Sequence, residues 1–178
     1  TYGVVYLSDL DIIEQQIAAM RPNCDVLVVS CHWGVEGSHD VEDSQRQMAQ
    51  WLADHDVDLI IGTHPHVTQT AEWLTGAEGH TSFVAYSLGN FLNAQSSPDN
   101  MIGAVLDITF QKTTQSDGSS AVEMPEVVSI SPEMAALAPE RKQLRPLSGR
   151  RPRPPARRMK ASGRRKRNTA TIRRIWSP

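Results

Sequence analysis

The sequence predicts an α/β fold built in layers, and two patterns support this. Helical spacing of apolar residues alternates with short, continuous apolar runs along the first third of the chain. A continuous run is typical of a strand that is covered on both faces. The later apolar stretches are separated by Gly, Asn, Ser and Asp, as expected of strands in antiparallel company.

Two helices are predicted from the spacing of apolar residues. The first begins at the capping sequence Ser8–Asp11 and stops before Pro22. Its expected inner face consists of Ile12, Ile13, Ile17 and Met20. The second spans about 41–54, and its expected inner stripe consists of Met48, Trp51 and Leu52.

Five strands are predicted. The first two, at 25–30 and 58–61, are short apolar runs that we expect to be buried on both faces. Three more follow at 82–87, 102–110 and 121–130. The expected folded unit therefore covers residues 1–135.

The charge of the chain is divided sharply near residue 140. Residues 1–140 hold three basic and all twenty acidic residues, a net charge of −17, whereas 141–178 hold fifteen Lys and Arg and no acid, +15. We expect the Pro/Arg-rich tail, 136–178, to be disordered because it has too few large apolar residues to form a core. Its Arg164–Arg167 cluster is typical of segments that bind nucleic acid or anionic lipid, although a tail without any evolved role is an equal alternative.

The sequence holds no apolar run of the roughly 18 residues that a membrane-spanning helix needs. It begins at Thr1 and leads directly into a strand-like stretch, so we expect the chain to be part of a longer protein.

Both buried strands are followed by histidine: His32 after the first, and His64 and His66 after the second. Ligands of α/β sheets gather at the carboxyl ends of strands. Neutral imidazoles bind Zn, Mn, Fe, Co or Ni, so three of them at two strand ends predict a divalent-metal site. The alternative is that these are ordinary loop and core histidines with hydrogen-bond partners in the chain.

The His64-Pro65-His66 triplet is the sharper part of this pattern. Proline disfavours the helical region for the preceding residue, so we expect His64 to be extended. Residues two apart in an extended segment point to the same side, which would let both imidazoles face one ion. Gly62 leaves room for the close approach of a ligand or of backbone.

Three segments, Cys31–Glu36, Gly62–Val67 and Tyr86–Phe91, together resemble the bacterial capsule synthesis proteins of the CapA type, which are implicated in poly-γ-glutamate capsule production. The resemblance extends over roughly residues 5–110. It implies a branch of the calcineurin-like metallophosphatases: a two-sheet β-sandwich flanked by helices, with two divalent ions such as Mn, Zn or Fe.

The resemblance makes His32 the isolated histidine ligand. It makes 62–66 the counterpart of a Gly-His-x-His ligand pair, so that His64 and His66 are ligands and Thr63 stands where a histidine is often found. Such sites also use an early Asp, a bridging Gly-Asp and an Asn-His pair, and these motifs do not occur here. We therefore expect the C-terminal part of the domain, with at most one metal ion.

Glu36 and Asn90 are further candidates. Glu36 is a candidate general acid or base, or an orienter of a ligand, with plain solvation as the alternative. Asn90 is a candidate donor to an anionic substrate, with capping of the next turn as the alternative. Trp33 and Phe91 are expected to wall the pocket.

The resemblance implies metal-assisted hydrolysis or transfer at a phosphoester or related anionic centre. The alternatives are a non-catalytic, metal-dependent subunit that holds an anionic polymer or its precursor, and a mononuclear zinc hydrolase. The implied partners are an anionic polymer or phosphorylated small molecule and a membrane-bound capsule synthesis complex on the extracytoplasmic face. A further expected partner is a polyanionic capsule chain, which the basic tail could bind.

Overall fold

The computed structural model describes residues 4–93, 95, 97–114, 120–134, 136–137 and 167–173. The regular elements are, in chain order, α1 (Leu10–Met20), β1 (Val28–His32), α2 (Asp43–Asp54), β2 (Leu59–Thr63), β3 (Ala71–Thr75), β4 (Thr81–Ala85), β5 (Leu92–Asn93), β6 (Ile102–Thr114), β7 (Ser120–Met134), β8 (Ala136–Leu137) and β9 (Arg167–Arg173). No helix in this part of the chain is long and apolar enough to cross a membrane.

A four-stranded mixed sheet with the order β1-β2-β4-β3 forms the centre of the fold. β1, β2 and β4 are parallel, and β3 joins the edge antiparallel to β4. The register of β1 and β2 places His32 directly beside Thr63. The carboxyl ends of these two strands therefore lie side by side, and the histidines that follow them start from one edge of the sheet.

Both faces of this sheet are covered, which confirms the α/β class. On one face, side chains of α1 and α2 such as Ile17 and Leu52 join a buried cluster with Ile60 and Val84 of the sheet. On the other face, Leu59 and Ile61 of β2 and Phe83 and Ala85 of β4 pack with β6, which contributes Leu106, Ile108 and Phe110. Alternate residues of β2 and β4 therefore point to opposite layers, which explains the continuous apolar runs Leu59–Ile61 and Phe83–Ala85.

The inner faces of the two helices differ in part from the expected ones. α1 buries Ile13 and Ile17, whereas Ile12 and Met20 are 47% and 55% exposed. Ile12 lies about 100° around the helix axis from Ile13, and Met20 is the last residue of α1. In α2, Leu52 is buried as expected, while Met48 and Trp51 are only partly buried. Its other buried residues are Gln45, Ala49 and Ala53.

Two short segments of the basic tail form strands, β8 and β9. β8 pairs with β5, and β9 pairs antiparallel with β6 from Arg173 beside Asp107 to Arg167 beside Thr113. β9 contains Thr169, Thr171 and Ile172, β-branched residues suited to a strand, and the open side of β6 supplies backbone partners. Residues 138–166, with most of the Arg164–Arg167 cluster, lie outside the described residues, so the division at residue 135 stays a prediction.

Candidate functional site

The three predicted histidines form a row of neighbouring rings at the carboxyl ends of β1 and β2. The ring centroids of His32 and His64 are 4.6 Å apart, and those of His64 and His66 are 6.2 Å apart. His32 is exposed and the other two are half-buried, so the row is open to solvent. The structure thus brings together residues that are 34 positions apart in the sequence.

The backbone of this segment is not extended, and the expectation for His64 was wrong. His64 and His66 have φ angles of 103° and 61°, in the positive region that residues other than glycine rarely adopt. The cause is tertiary: Pro65 is fully buried, and its carbonyl oxygen accepts a hydrogen bond of 2.8 Å from Gly37 N. The imidazoles are neighbours because the chain bends sharply, with strain of the kind that clusters at functional sites.

Gly62 permits the close packing beneath the histidines. A Cβ atom at this position would lie 1.9 Å from the carbonyl oxygen of Tyr86 and 2.3 Å from Trp33 Nε1. Trp33 Nε1 donates a buried hydrogen bond of 2.9 Å to that same oxygen. The expected close approach at Gly62 is confirmed, and the approaching groups are the backbone of Tyr86 and the indole of Trp33.

Hydrogen bonds join the loop that follows β1 to the end of β2 and to the loop that follows it. Trp33 N donates to Thr63 O, and Gln69 Nε2 donates to the carbonyl oxygens of Ser38 and Asp40. These bonds hold the loop that carries Glu36 at the rim of the site. The Glu36 side chain is exposed, and its Oε1 accepts a hydrogen bond of 3.2 Å from Gln95 Nε2.

Asn90 is in direct contact with a predicted ligand. Its side chain is buried, and its Oδ1 lies 2.8 Å from His66 Nδ1. Its Nδ2 lies 3.1 Å from each of three acceptors, His66 O, Gln95 Oε1 and Asn100 O. These contacts lie within the chain, so they favour a structural task for Asn90 at His66 over donation to a substrate.

Thr63 is a residue of the site whose contribution the sequence did not reveal. Its hydroxyl donates a hydrogen bond of 2.9 Å to Cys31 O, and its Oγ1 lies 3.4 Å from His32 Nδ1. The contact arises because the parallel register sets Thr63 beside His32. A register across two strands 31 residues apart leaves no local signal in the sequence.

The electrostatic environment favours the neutral form of His32. Partial burial, followed by the positive charges that His64 and His66 can carry, lowers the pKa of His32 from its ordinary value. The neighbouring Cys31 is buried, and this burial raises the pKa of its thiol to about 12. Since only a thiolate is a good ligand, we do not expect Cys31 to bind a metal ion.

The histidine row has the right donors for a borderline metal, but it is not closed around an ion. Two imidazoles bound to one ion at about 2.1 Å have ring centroids about 5 Å apart. The distances of 4.6 Å and 6.2 Å lie on either side of that value. In the described part of the chain, no group of three or more His, Cys, Asp or Glu side chains is arranged to hold a metal ion. A closer approach of the His64 ring to the His66 ring would be needed.

Cys31 is expected to resist alkylation in the folded protein. At pH 8 iodoacetamide should modify the half-buried Cys24 first and leave Cys31 unmodified, because its pKa of about 12 keeps the thiol protonated. In urea both should react. Mass spectrometry of peptides from the two samples measures this, and equal labelling of the two cysteines in the native protein would contradict the buried position of Cys31.

Comparison with known proteins places this chain in a family. The model of "Bacterial capsule synthesis protein PGA_cap" matches residues 4–95, just over half of the chain, and this range contains all three histidines and Asn90. The chain is 38% identical over 85 residues to "PGA biosynthesis protein CapA" of Bacillus subtilis (strain 168), which covers 48% of this chain and 21% of that protein.

It is also 33% identical over 86 residues to "Capsule biosynthesis protein CapA" of Bacillus anthracis, which covers 46% of this chain and 20% of that protein. The chain therefore spans about a fifth of the length of these curated relatives. With a family model that matches more than half of its residues, the chain belongs to the PGA_cap family of bacterial capsule synthesis proteins.

Proposed function

We propose that this capsule synthesis protein uses a metallophosphatase-like divalent-metal site, with His32, His64 and His66 as ligands, to act on a phosphoester or a related anionic substrate. The observation that carries the proposal is the row of three imidazole rings at the carboxyl ends of two adjacent parallel strands. Such strand ends are where α/β sheets gather their ligands.

The layered architecture supports the metallophosphatase-like part of the proposal. The mixed sheet carries helices on one face and the long strands β6 and β7 on the other. This is compatible with part of a β-sandwich flanked by helices. The domain in question would be 1–135, with 136–178 as a separate basic tail.

A divalent ion at this position would supply an acidified water and stabilise negative charge on the substrate. The residues of this chain would hold it through uncharged nitrogen donors. Glu36, whose side chain is exposed and accepts a hydrogen bond from Gln95, would be the candidate general acid or base there. The buried Trp33 would limit the access of water from below.

The charge of the donors limits what this chain can bind. Three neutral imidazoles leave both positive charges of the ion uncompensated, and the described residues add no carboxylate ligand to the row. We therefore propose one weakly bound Mn, Zn or Fe ion at most for this chain, and two ions for an intact domain of the superfamily.

A second candidate is a non-catalytic subunit that uses the metal pocket to hold an anionic polymer or its precursor. The exposure of the histidine row favours it, because a long polymer needs an open surface rather than a closed cleft. A mononuclear zinc hydrolase is the third candidate, since three histidines are a known zinc ligand set. The proposed setting is a membrane-bound capsule synthesis complex on the extracytoplasmic face, with nucleic acid as an alternative partner of the tail.

A turnover assay separates the mononuclear hydrolase from the two candidates in which this chain alone turns over little substrate. The chain is incubated with bis(p-nitrophenyl) phosphate and Mn or Zn, with His64→Ala as the control. We expect metal binding with turnover close to the background, because the set of ligands is incomplete. Efficient, His64-dependent turnover with zinc would favour the mononuclear hydrolase, and would contradict the proposal that this chain carries only part of a catalytic centre.

A further inference from the structure

We infer that Asn90 is a positioning residue that holds the imidazole of His66 in its Nδ1–H tautomer and leaves Nε2 as the free electron-pair donor. This inference deepens the proposed function and rests on it for its consequence, because Nε2 would be the atom that binds the metal ion. It concerns the state of a ring nitrogen in the protein without metal, so it can be tested separately.

The orientation of the Asn90 amide follows from its neighbours. His66 O and Asn100 O are backbone carbonyl oxygens, which only accept hydrogen bonds, and both lie 3.1 Å from the same end of the amide. That end must therefore be the NH₂ group. The opposite end, which faces His66 Nδ1 at 2.8 Å, is then the carbonyl oxygen Oδ1.

The tautomer of His66 follows from this orientation. An amide oxygen has no hydrogen to give, so the hydrogen in the short contact belongs to His66 Nδ1. A neutral imidazole carries one N–H hydrogen only, so Nε2 keeps its lone pair. Metal-binding histidines commonly donate their second ring nitrogen to an oxygen in this way, which fixes both the tautomer and the plane of the ring.

The position of Asn90 itself is rigid. It is only 9% exposed, and a Cβ atom at Gly103 would lie 2.1 Å from the Asn90 carbonyl oxygen, so the backbones of these two segments are in tight contact. Gln95 Oε1 accepts from the same NH₂ group, and Gln95 Nε2 donates to Glu36. The side chain of Asn90 is therefore held in a fixed position in which its Oδ1 contacts His66 Nδ1.

His32 and His64 provide internal comparisons. His32 Nδ1 faces Thr63 Oγ1, whose hydrogen is directed to Cys31 O, so this oxygen also acts as an acceptor, although at the longer distance of 3.4 Å. Within the described part of the chain, the ring nitrogens of His64 make no hydrogen bond. The order of tautomer preference should therefore be His66 first, His32 second and His64 last.

The direct test is a long-range ¹H–¹⁵N spectrum of the ¹⁵N-labelled full chain at pH 8 without metal, which distinguishes a protonated ring nitrogen from one with a free lone pair. His66 is expected to show a protonated Nδ1 and a free Nε2, while His64 shows the ordinary mixture. A protonated Nε2, or a mixture, at His66 in the wild-type chain would overturn the inference.

Two variants test the cause. Asn90→Leu removes the acceptor at similar volume and should return His66 to the ordinary mixture of tautomers without affecting His32. Thr63→Val removes the weaker acceptor and should change the tautomers of His32 without affecting His66. A folded Asn90→Leu chain, judged by its circular dichroism, that keeps the wild-type His66 tautomer would overturn the inference, and the wild-type spectrum decides if that variant does not fold.

Titration with zinc then separates this inference from the proposed function. Loss of an orienting partner of this type costs about 10–100-fold in metal affinity, and we expect a loss in this range for Asn90→Leu. A wild-type His66 in the Nδ1–H tautomer that binds no zinc would support the positioning role and contradict the metal site. Zinc binding that is equal in wild type and Asn90→Leu would contradict the positioning role alone.

Discussion

Gly62→Ala is expected to lower the free energy of unfolding by more than about 3 kcal/mol, or to prevent folding altogether. The added methyl group would lie 1.9 Å from Tyr86 O, a backbone atom that cannot rotate away. Relief requires the segment after β4 to move, which breaks the 2.9 Å hydrogen bond from Trp33 to the same oxygen. Urea denaturation followed by circular dichroism measures the change.

Gly79→Ala is the matched control for this substitution. Gly79 has a φ of +83°, but a Cβ atom there would meet nothing within 4 Å. The expected cost is only the backbone term of about 1 kcal/mol. Equal, small effects of the two substitutions would show that the packing of Gly62 against Tyr86 is not as tight as the structure has it.

Trp33→Ala is expected to destabilise the fold by about 3–5 kcal/mol, the usual range for a large buried aromatic residue. Trp33 is 7% exposed, belongs to the cluster between the helices and the sheet, and packs its ring 5.9 Å from that of Tyr86. Trp33→Phe keeps most of the apolar contact and loses the indole hydrogen bond, so its cost should be intermediate. Urea denaturation of both variants measures these changes.

The outcome also tests the role of Trp33 beside the histidines. A Trp33→Ala variant that is as stable as the wild type but no longer binds metal would mean that the ring belongs to the site rather than to its support. Phe91 is the other aromatic residue that was expected to wall the pocket, and it is half-buried. For Phe91, too, we predict a structural rather than a catalytic role.

Much of the fold could be predicted because its local signals agree with its packing. β2 is apolar on both faces because layers cover both faces, and α2 follows the spacing of its buried residues. β1, which was expected to be buried in the same way, is an edge strand in which Ser30 and His32 are exposed and only Cys31 is buried. β3 was not predicted. It is an edge strand in which Trp73 is 44% exposed and Glu72 and Thr75 are polar, so it lacks the apolar pattern of a buried strand.

The composition of the site could also be predicted in part. Histidines at the ends of two apolar runs identified His32, His64 and His66, and the structure places their rings side by side. The bend at His64 and His66 could not be predicted, because it depends on the contact between Pro65 and a loop nearly thirty residues earlier in the chain. Local preference would have kept this segment extended.

The contact between Asn90 and His66 likewise joins residues that are distant in the sequence. Asn90 follows β4 by a few residues and reaches the loop after β2 because these two strands are parallel neighbours in the sheet. The sequence shows only an Asn after a Gly, a pattern that is equally typical of a turn. A positioning role becomes visible only when the partners of both ends of the amide are known.

The central claim, that the three histidines bind one metal ion, is tested most directly by titrating Zn or Mn into the full chain by calorimetry. The comparison includes His64→Ala and His66→Ala, with His80→Ala as control because His80 directly precedes β4, at the opposite end of the parallel strands. We predict weak binding of one ion to the wild type and to His80→Ala, and loss of binding in both site variants. Binding that is unchanged in His64→Ala and His66→Ala would contradict the account.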